Sequence, residues 1–144
     1  MYKIFFYSLI LSLLTQCSPK HITIKNDFVS LFQSNSNNAD LGKLNSIKWD
    51  RLYILSPYVQ INNLDSVLIN AKSTINESGI TIKDDIIEII IMNGNNIVAS
   101  FEVKRNIIDT NLPTNGYPIY FQPTQTLVYR KKSVNNTYII TDYK

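Results

Sequence analysis

Two isoleucine-rich stretches around an Asn-Gly pair constrain the fold of this chain more than any other feature. Residues 86–92 read Ile-Ile-Glu-Ile-Ile-Ile-Met, and residues 97–103 follow directly after Asn93-Gly94-Asn95-Asn96. β-Branched residues favour strands, and an Asn-Gly pair between two such stretches is typical of a tight turn. The pattern therefore predicts a β-hairpin.

A pairing of residue 92 with residue 97 sets the predicted register of this hairpin. Residue 88 then faces residue 101, so Glu88 and Glu102 lie on opposite faces. One predicted face carries Ile86, Glu88, Ile90, Met92, Ile97, Ala99, Phe101 and Val103, and the other carries Ile87, Ile89, Ile91, Val98, Ser100 and Glu102. Because an edge hairpin would leave one largely apolar face in water, we expect this hairpin at the centre of a sheet with cover on both sides.

Weaker patterns lie on either side of the hairpin. Alternation from Lys48 to Leu55 predicts a strand, and apolar residues at helical spacing from Ile61 to Ala71 predict a three-turn helix. Residues 106–118 are predicted to form a long loop, and residues 126–131 and 138–142 a second hairpin. The predicted strand would carry on one face Trp49, Arg51, Tyr53 and Leu55.

These elements predict an α+β fold. A helical piece around residues 28–32 comes first, and the strand, the helix and the two hairpins follow it. We therefore expect an antiparallel sheet of about five strands with one or two helices packed on it, in the order α-β-α-β-β-β-β. A chain of 144 residues is long enough to form one such core.

The N-terminus has the pattern of an export signal. Lys3 precedes an apolar run from Ile4 to Leu14, and this run of 11 residues is shorter than a membrane-spanning helix, which needs about 20. We therefore predict a signal peptide over residues 1–16, a tether over residues 17–24 and a single α+β domain over residues 25–144.

The residues around the only cysteine resemble a bacterial lipobox. Leu14, Thr15 and Cys17 match its pattern, and Gln16 stands where glycine, alanine or serine is usual. The resemblance implies that Cys17 becomes the acylated N-terminus and holds the protein at the cell-envelope membrane. Ser18, where aspartate would signal inner-membrane retention, favours the outer membrane. The alternative is an ordinary secreted protein in which Cys17 lies near the cleavage site by chance.

The composition excludes several kinds of chemistry. One cysteine and one histidine cannot build a disulfide scaffold, a zinc cluster or an iron–sulfur site. The net charge of +3 is too small for strong attraction to nucleic acid, and the four glycines lie in no phosphate-binding spacing. We therefore predict no cofactor, no metal and no nucleic-acid partner.

Glu88 is the acidic residue that the predicted hairpin places among apolar positions. A carboxylate there must be paired, reach an edge or take up a proton, and the candidate partners are Lys104, Arg105 and Arg130. Glycoside chemistry would need a second acid about 5 to 10 Å away, and the predicted register keeps Glu102 on the other face.

Aromatic residues supply the candidate binding surface. Aromatic side chains in a sheet can be core, or they can form a platform for a peptide or for sugar rings. The candidate residues are Trp49, Tyr53, Tyr58, Tyr117 and Tyr120.

Two short motifs flank the predicted strand, Trp49-Asp50 before it and Ser56-Pro57-Tyr58 after it. With the hairpin downstream, they resemble a loose group of small, uncharacterised bacterial envelope lipoproteins over about residues 47–105. The resemblance implies an α+β fold and an exported or lipid-anchored location, and it implies no activity. We expect a non-catalytic envelope lipoprotein that binds or occludes a protein partner. The alternative is a carboxylate-dependent enzyme that acts on the cell wall or on glycans.

Overall fold

The computed structural model describes residues 19–34, 36–112 and 117–144. The predicted signal peptide, Cys17 and part of the predicted loop lie outside the described residues. Within them the protein is a mixture of helices and strands, so the predicted α+β class is confirmed.

Two α-helices and eight strands form the regular structure of the described residues. The helices are α1 (Pro19–Ser30) and α2 (Lys72–Ser78). The strands are β1 (Asn38–Asp40), β2 (Arg51–Leu55), β3 (Ile86–Asn93), β4 (Asn96–Lys104), β5 (Ile108–Thr110), β6 (Ile119–Phe121), β7 (Thr126–Lys131) and β8 (Tyr138–Tyr143). No helix in the described part of the chain is long and apolar enough to cross a membrane.

The strands form two four-stranded sheets, and the prediction of one sheet of about five strands was wrong. The first sheet has the order β1-β7-β8-β5 and the second the order β4-β3-β2-β6. Strand β5 pairs in parallel with β8, so the first sheet is mixed, and β5 lies within the predicted loop over 106–118. Strands β1, β5 and β6 were missed because three residues are too few to show an alternating pattern.

The second sheet is the middle layer of the fold. One of its faces packs against the first sheet and α1 through buried side chains such as Leu52, Ile54 and Ile89. Its other face is covered by the segment 61–80, against which Tyr53 and Ile90 pack. The predicted cover on both faces of β3 is thus confirmed, whereas β4 lies at the edge of the sheet and not at its centre.

A β-bulge changes the predicted register of the Ile-rich hairpin. Met92 pairs with Ile97 as predicted, but Ile91 pairs with Ala99, because Val98 is an extra residue on β4. A shift of one residue turns every following side chain to the other face. The part of β4 beyond the bulge therefore packs with Ile87, Ile89 and Ile91, and not with Ile86 and Ile90 as predicted. The β4 residues so displaced are Ala99, Phe101 and Val103.

The predicted helix over Ile61–Ala71 does not form. The chain makes 3₁₀ turns at Ile61–Asn63 and Leu68–Ala71, with extended backbone at Leu64 between them. The Asp65 carboxylate accepts hydrogen bonds from the N–H groups of Val67 and Leu68 at 2.9 and 2.6 Å, and this local cap competes with a continuous helix. The apolar residues of the predicted stripe still pack on the second sheet.

The folded part begins earlier than the predicted domain start at residue 25. Helix α1 begins at Pro19, within the predicted tether over 17–24, and Ile24 is buried in the core. Ile24, Phe28 and Phe32 follow one another at intervals of four residues, which places them on one face of a helix. The helical piece predicted around residues 28–32 left out Ile24, the first residue of this stripe.

We expect Ile89→Ala and Ile90→Ala each to lower the free energy of unfolding by about 2 to 5 kcal/mol. Both side chains are fully buried, one in each core, so each truncation leaves a cavity. Urea unfolding would measure the two midpoints at unchanged slope. Ile82→Ala is the matched control, because Ile82 is 79% exposed and its truncation should have little effect. A silent Ile90→Ala would contradict the three-layer arrangement.

Candidate functional site

Two of the five candidate aromatic residues belong to the core and not to a binding surface. Trp49 is 8% exposed, and its Nε1 donates a hydrogen bond to the Leu44 carbonyl at 2.9 Å. Tyr53 is fully buried, and its hydroxyl donates to Asp65 at 2.8 Å. Burial and the Asp65 carboxylate raise the pKa of Tyr53 above its ordinary value. The two rings lie in different cores, which corrects the prediction that they share one face of the strand.

The other three candidates are exposed. Tyr58, Tyr117 and Tyr120 are 59%, 62% and 46% exposed. Tyr120 lies on β6 opposite Tyr53, with 5.7 Å between the ring centroids, and the Arg51 guanidinium lies 5.6 Å from the Tyr120 ring. The Tyr120 ring is thus held by two contacts, one with the buried Tyr53 ring and one with the Arg51 guanidinium.

A small cleft separates Tyr58 from Tyr117. It has a volume of about 120 Å³ and is lined by residues 54–60 together with Tyr117 and Pro118. We call it the tyrosine cleft. Its lining is partly apolar and partly polar, which suits a side chain of a peptide better than a large rigid ligand.

Tyr58 has a strained backbone that the surrounding structure holds in place. Its φ of 60° lies in the left-handed region, which is uncommon for residues other than glycine. Its N–H donates a hydrogen bond to the Ile80 carbonyl at 2.9 Å. The chain beyond α2 therefore fixes the position of Tyr58 on the cleft wall. Sequence reasoning missed this link, because residues 58 and 80 come together only in the fold.

A second and more polar cleft of about 280 Å³ lies beside α1. Asp27, Asp40 and Lys43 are among the residues that line it. Its polar residues are spread over positions 27–45, and no pattern in the sequence predicted this cleft. The Asp40 carboxylate also caps the turn at Leu41–Lys43 by accepting from the Gly42 N–H at 3.0 Å.

Glu88 is buried, and its partner is not one of the predicted cations. Lys104 pairs with Asp85 and Arg105 pairs with Asp109, each at 2.8 Å. Glu88 is 2% exposed, and its Oε2 lies 2.6 Å from the Ser78 hydroxyl oxygen at the end of α2, within hydrogen-bond distance. Burial, reinforced by the negative charge of Glu102, raises the pKa of Glu88 from 4.5 to about 7.

The bulge makes Glu88 and Glu102 direct cross-strand partners, which corrects the prediction that they lie on opposite faces. Lys83 lies 3.3 Å from Glu102 and partly compensates its charge. The two acids are thus neighbours on one face of the sheet, but a general acid must reach the substrate, and the carboxyl of Glu88 is covered. Among the described residues, no group of three or more His, Cys, Asp or Glu side chains could hold a metal ion.

Comparisons of the chain with protein-family models, with curated proteins and with solved structures gave no match. The function proposed for this protein therefore rests on its own residues.

The raised pKa of Glu88 predicts that the protein loses stability as the pH rises. The folded state keeps a proton that the unfolded state has already released, so stability falls between about pH 4.5 and about pH 7. We expect Glu88→Gln to remove this part of the pH dependence and to stabilise the protein above pH 7 by roughly 2 to 3 kcal/mol. Urea unfolding over this pH range would measure it. Glu77→Gln, a change at an exposed residue of α2, should keep the wild-type dependence.

Proposed function

We propose that this protein is a lipid-anchored envelope protein that binds a protein partner without catalysis. The observation that carries the proposal is the group of three exposed tyrosines at and beside the β6 edge of the second sheet: Tyr58, Tyr117 and Tyr120. Tyrosine offers a large contact area with one hydroxyl at little cost in conformational entropy, and it is enriched in protein interfaces. We name these three residues the tyrosine surface.

The edge position of β6 favours an extended partner segment. Strand β6 pairs with β2 on one side and is the last strand of the second sheet in the described part of the chain. Tyr120 lies in this strand, and the tyrosine cleft begins just before it at Tyr117 and Pro118. A strand added beside β6 would bring its side chains to the cleft, as in other cases of binding by strand addition.

The proposed anchor would hold the domain close to the membrane. Only Ser18 separates Cys17 from the start of α1 at Pro19. Since each residue spans at most about 3.6 Å, an acylated Cys17 would keep the beginning of α1 within about 7 Å of the lipid attachment point. The lipobox resemblance and the resemblance to envelope lipoproteins support this arrangement, and Ser18 after the cysteine supports an outer-membrane location.

The alternative function, a carboxylate-dependent enzyme acting on the cell wall or on glycans, has two observations in its favour. Glu88 and Glu102 are cross-strand partners, and the pKa of Glu88 is raised to about 7. The burial of Glu88 beneath Ser78 weighs against it, because a substrate could meet that carboxyl only after α2 moved. The binding role therefore has the better support.

We expect Cys17→Ser to move the protein from the membrane fraction to the soluble envelope fraction, or to leave it as uncleaved precursor. The cysteine sulfur is the attachment point that the lipobox resemblance implies, and the variant cannot carry the thioether-linked lipid. Fractionation with intact-mass spectrometry would measure both effects. Unchanged acylation of the variant would contradict the anchor.

We expect a photo-crosslinking residue at position 58 or 117 to capture one envelope protein in living cells. The same residue at Val134, which is 87% exposed in the turn between β7 and β8, is the matched control and should not capture it. Tyr120→Ala should lower the yield about tenfold, because truncating an interface tyrosine commonly costs more than 1 kcal/mol. Equal capture at Val134, or a full yield with Tyr120→Ala in a folded protein, would contradict the tyrosine surface.

A further inference from the structure

A continuous chain of hydrogen bonds joins the buried Glu88 to the wall of the tyrosine cleft. The Ser78 hydroxyl contacts Glu88 Oε2 at 2.6 Å and also accepts from the Ile80 N–H at 3.3 Å. The Ile80 carbonyl in turn accepts from the Tyr58 N–H at 2.9 Å. Three contacts therefore link a carboxyl in the core to a residue of the tyrosine surface.

The hydrogen bonds of Ser78 fit a protonated Glu88. The Ser78 hydroxyl has one proton, and its oxygen lies 2.9 Å from the Ile75 carbonyl and 2.6 Å from Glu88 Oε2. If Glu88 carries a proton, it donates to Ser78, and Ser78 donates to Ile75, so both contacts are satisfied. If Glu88 is ionised, Ser78 can donate to only one of these two oxygens.

Ionised Glu88 would also be poorly compensated. Its cross-strand neighbour on β4 is Glu102, and its neighbour on β2 is the apolar Leu55. From α2 it meets the uncharged Ser78, and from the following turn Lys83, whose ammonium group is engaged by Glu102 and by the Ser78 carbonyl. A buried carboxylate in such surroundings is costly unless water reaches it.

Water would reach Glu88 most directly at the end of α2, where the partly exposed Ser78 contacts its carboxyl. This helix has seven residues and ends at Gly79, whose φ of 74° is left-handed. Lys83 bonds to the Ser78 carbonyl, and Ser78 is partly exposed, whereas Ile75 and Ile80 on either side of it are fully buried in the smaller core. Strands β2 and β3, by contrast, are paired along their whole length within the second sheet.

We propose that loss of the Glu88 proton releases the end of α2 and, through Ile80, loosens Tyr58, so that the tyrosine cleft is formed when Glu88 is neutral and disrupted when it is charged. The proton passes to solvent. Partner binding then weakens as the pH rises past neutrality. The inference rests on the proposed function only in taking the tyrosine surface as the place where a partner binds.

Amide hydrogen exchange of the full chain, followed by NMR without any partner, tests this coupling. The protection factors of the Tyr58 and Ile80 amides, corrected for the intrinsic effect of pH, should fall together by about tenfold per pH unit above about pH 7. The midpoint should match that of the Glu88 carboxyl carbon measured in the same wild-type sample. Because no partner is present, this result stands apart from the success or failure of the proposed binding function.

Variants sharpen the test. Glu88→Gln should make the protection of Tyr58 independent of pH, and Glu102→Gln should move the midpoint to lower pH, because it removes the neighbouring negative charge. Glu77→Gln, on the exposed side of α2, should leave the midpoint unchanged. The proposal is overturned if Tyr58 protection does not change with pH, or if its midpoint differs from that of Glu88. Both readings come from the wild-type protein, so a variant that fails to fold does not affect the decision.

Discussion

Burial of β3 on both faces is the constraint on which the rest of the structure depends. Ile89 and Ile90 point in opposite directions from one strand, and each enters a different core. The chain must therefore supply two covering layers for a single sheet. The first sheet with α1 forms one of them, and the segment 61–80 forms the other. The exposed Tyr120 lies on β6, at one edge of this middle sheet.

The bulge in the hairpin links this packing to the unusual chemistry of the protein. The extra residue Val98 turns the rest of β4 over, which gives the larger core its Ala99, Phe101 and Val103. The same turn places Glu102 opposite Glu88. The bulge that brings these apolar residues into the larger core thus also leaves two carboxylates side by side, one of them buried. Ser78 and Lys83 accommodate the pair, at the point where α2 ends.

The tyrosine surface depends on the same framework. Tyr120 rests on the buried Tyr53, and Tyr58 is held in a left-handed conformation by its hydrogen bond to Ile80. An interface residue contributes most when its position is set before the partner arrives. Pairing with β2 sets the position of Tyr120, whereas the position of Tyr58 depends on its hydrogen bond to Ile80, just beyond α2. The proposed control by Glu88 would therefore act on Tyr58 and not on Tyr120.

The sequence by itself determined the α+β class, both hairpins and the two apolar faces of β3. It also placed the Glu88 carboxyl among apolar residues. These follow from local preference and periodicity, which a single strand or turn carries in its own residues. Only the tertiary structure decided the second sheet, the helical start at Pro19 and the pairing of Glu88 with Glu102. It also decided which aromatic residues are core and which form the surface. The reason is physical: three-residue strands, a one-residue bulge and the contact of Tyr58 with Ile80 are stabilised by partners distant in sequence, and those partners leave no periodic trace in the chain.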